Sequence, residues 1–102
     1  MQRPRMGERY RSIRSVQVGG LALLAAPATG GFHAVLPTDE TVTVEFDPPP
    51  HATAISARPE RYSELETVLV PENERKGSKY VGYALIIGFD KLAESFEKVS
   101  DA

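Results

Sequence analysis

The chain contains no cysteine. That absence removes disulfides, thiolate catalysis and every cysteine-based metal site, and it makes a reducing cytoplasm the expected compartment. Histidine is nearly as scarce, with two in the chain, His33 and His51. No stretch approaches the run of about eighteen apolar residues that a membrane-spanning helix needs. Neither sign of charge dominates: the net charge is -2 over 102 residues, so bulk electrostatics do not recruit nucleic acid or an anionic membrane.

What remains is an ordinary globular composition, 41% hydrophobic and 25% charged. A chain of this length has room for one core. The expected organisation is a single domain over residues 1–102 that begins with a basic arm, residues 1–9.

The most apolar charge-free run is "VQVGGLALLAAPATGG", residues 16–31. With Arg3, Arg5, Arg9, Arg11 and Arg14 before it and Ala26-Pro27-Ala28 closing its apolar part, it has the outline of a secretory leader with a small-residue cleavage site. The leader is long for such a basic region and carries Glu8, and "LALLAA" is short for its apolar core. The segment is therefore read as part of the fold. "RSIRSVQV" is rich in β-branched residues, Gly19-Gly20 interrupts it, and Leu21 to Ala26 resumes as an apolar run. Two strands around a two-glycine turn make a β-hairpin.

Further strands follow. "GFHAVLP" is closed by Pro37, and "TVTVEF" alternates cleanly, with Val42, Val44 and Phe46 on one face. Pro48-Pro49-Pro50 end that strand, and "HATAISA" resumes before Pro59. The segment 59–70 has Pro59 at a first helical position and Tyr62, Leu65 and Leu69 at helical spacing, yet "TVLV" is equally a strand sequence; helix and strand both stay open. "PENERKG" reads as a charged connection with room for one helical turn closed by Gly77.

"YVGYALIIGF" is apolar on both faces, as a central strand would be, with small residues on one side that admit close approach. "DKLAESFEKVS" reads as a terminal helix capped by Asp90, with Leu92, Phe96 and Val99 on one side and Glu94 paired to Lys98. The fold expected is α+β: a small curved antiparallel sheet or partly open barrel, SH3-like in outline, with a C-terminal helix and one possible inserted helix. Val44, Phe46, Leu85, Ile87 and Phe96 are the expected buried residues.

Motifs for chemistry are few. His33 has Asp39 and Glu40 nearby in sequence, and His51 has Glu45 and Asp47, but both histidines sit beside turn residues, where a solvated polar residue is ordinary; no metal site, catalytic residue or cofactor is assigned. Ser56 lacks the glycines of a nucleophile elbow, and the paired glycines lack the spacing of a phosphate loop. Two clusters carry what recognition chemistry there is. Ser56, Arg58, Arg61 and Tyr62 with Tyr80 and Tyr83 would make a concave site for a small anionic or aromatic ligand. Arg3, Arg5, Arg9, Arg11 and Arg14 with Tyr10 have the composition of a nucleic-acid-contacting arm; the alternative is that they pair with the chain's own acidic body.

Three functions are thus compatible with the sequence: a non-enzymatic interaction module that self-associates, a small-molecule-binding protein, and a nucleic-acid-binding protein. The first is preferred. The partner expected is a second copy, in a homodimer or higher assembly, because Leu21 to Ala26 has no charge or proline to guard it as a free strand edge.

Overall fold

The computed structural model describes residues 3–25, 29–76 and 79–99. Seven strands form one sheet: β1 (Arg9–Ser12), β2 (Val16–Leu24), β3 (Thr29–Leu36), β4 (Thr41–Val44), β5 (Ala54–Pro59), β6 (Tyr80–Gly88) and β7 (Phe96–Lys98). Their order is β3-β2-β6-β5-β4-β1-β7, and every neighbouring pair is antiparallel. The sheet does not close, so β3 and β7 are its two edges. Three short helices accompany it: α1 (Tyr62–Leu69), α2 (Glu72–Arg75) and α3 (Phe89–Ser95). None is long and apolar enough to cross a membrane.

One face of the sheet carries the core. Val16, Val18 and Ala22 of β2, Phe32 and Leu36 of β3, Ile55 and Ala57 of β5, and Tyr83, Leu85 and Ile87 of β6 are buried together. Tyr10 of β1, Val42 and Val44 of β4, Leu65 and Leu69 of α1, Val70, Leu92 of α3 and Phe96 of β7 complete the cluster. Alternation explains the pattern, since residues two apart on a strand share a face. Segment 59–70 is thereby resolved: Pro59 closes β5, where it stands opposite Val42, and the helix starts three residues later.

The structure corrects the hairpin. β2 runs without a break through Gly19-Gly20, and both glycines pair with β3 on one side and β6 on the other. Gly20 is needed because the outer end of the Phe32 ring occupies the place where a Cβ would stand. The true hairpin joins β2 to β3, and the Ala26-Pro27-Ala28 segment between them lies outside the described residues, as does Gly77. Gly20→Ala should therefore lower stability by about 1–3 kcal/mol, the range for overpacking a filled core. Gly31→Ala, where a Cβ meets nothing within 4 Å, should be close to neutral; equilibrium denaturation of the two variants makes the comparison.

Two other expectations change. β4 ends at Val44, and Phe46 is 64% exposed instead of buried; the backbone leaves the ladder after Glu45 donates to the Ser56 carbonyl, 2.9 Å, so the alternation no longer points inward. The terminal helix is shorter than its apolar spacing implies. It begins at Phe89 with Gly88 as N-cap in place of Asp90 and stops at Ser95. Phe96 turns extended and opens β7, which pairs with β1. The other four expected core residues are buried.

Candidate functional site

The aromatic cluster forms in part. Tyr62 and Tyr83 stack with ring centroids 4.3 Å apart and planes 4° from parallel, and the Arg58 guanidinium lies over the outer face of Tyr62 at 4.1 Å. The stack has a backbone reason. The Phe89 N–H bonds the Thr53 carbonyl, which fixes Ile87, Leu85 and then Tyr83 as the β6 residues whose backbone groups face β5. Pro59 would be the next partner in register, and proline has no N–H. The Tyr62 hydroxyl takes that place: it accepts from the Tyr83 N–H at 2.8 Å and donates to the Tyr83 carbonyl at 3.2 Å. The Tyr83 hydroxyl answers by donating to the Tyr62 carbonyl, 2.6 Å. A side chain thus stands in for a strand.

The other residues of this group go elsewhere. Ser56 donates to Glu45 at 3.2 Å. Arg61 turns away to grip the buried Glu40 carboxylate through Nε and Nη2 at 2.8–3.2 Å. Tyr80 is half-buried, and its hydroxyl lies near Glu66 but short of ordinary hydrogen-bond geometry. A shallow depression of about 230 Å³ opens between Arg3, Pro4, Arg5, Asp47 and Pro48, and no residue of the aromatic cluster lines it.

Burial, above all, raises the Tyr83 hydroxyl pKa well beyond the usual phenol range, with Tyr62 and Glu66 adding to it. Burial likewise pushes Tyr80 up to about 12, with the Glu66 charge second. Tyr10 is pushed up to about 12 by burial and its hydrogen bond to Glu8. A pKa raised in the folded state means stability that is intact below the unfolded phenol value near 10 and is lost as pH climbs toward the folded one. Ionisation of Tyr10, Tyr80 and Tyr83, followed at 295 nm, should therefore coincide with unfolding between about pH 10 and 12. Smooth ionisation near pH 10 with the fold intact would contradict this burial.

The arginine arm is largely engaged by the chain itself. Arg3 donates to the Pro49 carbonyl at 2.6 Å and stands over Phe89 at 5.2 Å. Arg9 meets Glu60 at 3.6 Å, and Arg11 meets Asp39 at 3.6 Å and Glu97 more closely. The side chains of Arg5 and Arg14 have no partner among the described residues. Glu8 anchors the same region by bonding Lys98 at 2.8 Å, which holds its carboxyl below the usual range. His33 and His51 are exposed, and no group of three or more histidines and carboxylates among the described residues could hold a metal ion.

The feature that sequence reasoning misplaced is the open edge. Leu21 to Leu24 lie in β2, an interior strand between β3 and β6, so they cannot be the free edge. β3 is. The parity set by Phe89 and Thr53 carries across β6 and β2, so the even residues of β3 bond β2 while the odd ones face outward. The backbone N–H and C=O of Gly31, His33 and Val35 have no partner among the described residues. On the outer face beside them lie Leu21 and Ile86, half-buried, and Leu23 and Val35, exposed. The available signal was "TGGFHAVL" itself, eight residues with no charged side chain. Family models, characterised proteins and solved structures were each compared with the chain, and none matches.

Proposed function

We propose that this protein is a non-enzymatic interaction module whose free β3 edge accepts an added strand. One observation carries the reading: the unpaired backbone of Gly31, His33 and Val35 on an eight-residue edge without lysine, arginine, aspartate, glutamate or proline. Edges of that kind template pairing, and proteins that avoid pairing guard them with charges or keep them short. β7, the opposite edge, shows both guards. It is three residues long, and Glu97 and Lys98 within it are tied to Arg11 and Glu8. The reading needs only the open antiparallel sheet, and the SH3-like outline adds nothing to it.

The test is amide exchange by NMR on the full chain, with and without an extended eight-residue Val/Thr-rich peptide. Gly31, His33 and Val35 amides should gain protection, and Val35→Lys, a change at an exposed position, should abolish the gain. Unchanged exchange at these three amides, with peptide and at high protein concentration alike, defeats the reading.

A further inference from the structure

We infer that the strand β3 receives is β3 of a second copy, laid antiparallel about a two-fold axis at His33; this rests on the reading of β3 as an open edge. Of the outward-facing residues Thr29, Gly31, His33 and Val35, the last three are spaced symmetrically about position 33. An axis there sets His33 against its mate and Gly31 against Val35 of the other copy, so each outward N–H and C=O at these residues finds a partner. An axis at Phe32, which centres all four, sets Val35 against Thr29 and gives up the glycine opposite it. Moving the axis to Val35 brings Pro37 into the ladder, which has no N–H and whose carbonyl already accepts from the Ser12 hydroxyl at 2.7 Å. Moving it to Gly31 sets Val35 against position 27, a proline with no N–H to offer.

Shape and charge favour a copy over another strand. Val35 is 58% exposed, and a Cβ at Gly31 would meet nothing within 4 Å. The His33 axis places the branched side chain of each Val35 over the bare backbone of the other Gly31, a small-against-large fit that the edge makes with itself. The chain is net negative, yet residues 29–36 carry no charge when His33 is neutral, so two copies meet here without repulsion. Isologous two-fold contact is the commonest way identical chains associate.

The same axis makes the contact sensitive to pH. Side chains directly opposite in an antiparallel pair are close, and like charges there destabilise it; histidine is the side chain that gains charge between pH 8 and 5. From β2, the strand paired with β3, the residues on the His33 face are Gln17, Gly19 and Leu21, none of which titrates. α1 packs against β3 from the core face, with its Glu66 beside Tyr80 and Tyr83 and its Glu64 beside Arg61, and α2 brings Glu74 to Gly30. Across the axis, the facing titratable group is the second His33.

Sedimentation equilibrium on the full chain, from about 1 to 200 µM at pH 7.5 and pH 5, reads the association directly. Wild type should be a dimer at pH 7.5, with affinity about tenfold or more weaker at pH 5. Val35→Lys should be a folded monomer at both pH values, as circular dichroism would verify. His33→Gln should dimerise equally at both. A wild-type monomer at pH 7.5, or a dimer that Val35→Lys leaves intact, overturns the self-pairing. A dimer equally stable at both pH values overturns the His33 axis. The peptide-protection experiment judges the open edge separately, because a monomer whose Gly31, His33 and Val35 amides respond to added peptide keeps the module and loses only the second copy.

Discussion

Replacing Phe96 with alanine should cost about 3–5 kcal/mol, the range for deleting a buried aromatic side chain. The residue is 6% exposed and belongs to the core cluster. It also marks a change of structure: α3 ends at Ser95, and the extended backbone of Phe96 begins β7 opposite Ser12. The junction is tied to β1 on either side, by the Ile13 N–H to the Ser95 carbonyl at 2.8 Å and the Val99 N–H to the Arg9 carbonyl at 2.9 Å. β7 is three residues long, so few other contacts hold it once the ring is gone. Small domains have about 5–15 kcal/mol in all, and the variant should unfold at much lower denaturant concentration than wild type. A loss below about 1 kcal/mol would mean that Phe96 does not anchor the C-terminal segment.

The same residue shows where sequence reasoning succeeds and where it stops. Phe96 was legible as buried because its apolar neighbours recur three and four residues apart. That spacing also extended the helix through it, since nothing local reports that β1 offers an edge to pair with. β6 was legible almost to the residue, because its apolar run is bounded on both sides, although Val81 at its start is 66% exposed while Tyr83, Leu85 and Ile87 are buried. Gly19-Gly20 misled for the opposite reason. Glycine pairs are a local turn signal, whereas Gly20 answers to a ring on Phe32, twelve positions away. Phe46 fits the alternation of β4 but follows its last paired residue.

The candidate site divides in the same way. Arg58, Tyr62 and Tyr83 meet because the chain returns to β6 through α1, and their chemistry suggested the meeting. Arg61 leaves the group for Glu40, since a buried carboxylate needs a partner more than a stack that Arg58 already covers does. The free edge was misplaced by one strand. A charge-free run reads as an edge because it lacks guards, but the sheet order puts β2 between β3 and β6, and its own neighbours cover it. The missing guards matter on β3, and no property of residues 21–26 could report that non-consecutive order.

Tyr62→Phe should cost about 2–3 kcal/mol, although it removes a single oxygen from a half-buried ring. The ring, its stack on Tyr83 and the Arg58 contact can all persist. What is lost is the atom that takes the place of a strand: the hydroxyl that accepts from the Tyr83 N–H and donates to its carbonyl. Pro59 stands next in register there and has no N–H to offer. Two backbone groups at a residue 3% exposed are then left unpaired, and the penalty for burying such groups exceeds the modest net worth of a hydrogen bond already made. Gly82 keeps the position reachable, since a Cβ there would stand 2.7 Å from the same hydroxyl. Gly82→Ala should therefore weaken the fold through this contact as well, and the two substitutions should be less than additive when combined. The Tyr83 amide is the local reporter. In Tyr62→Phe it should exchange faster than the Leu85 amide, whose bonding to Ala57 in β5 is untouched. Arg58→Ala, which strips the outer face of the stack without touching the hydroxyl, should leave Tyr83 exchange as in wild type. Equal protection of Tyr83 in the wild-type and Tyr62→Phe proteins would show that the strand end is held by something other than this hydroxyl.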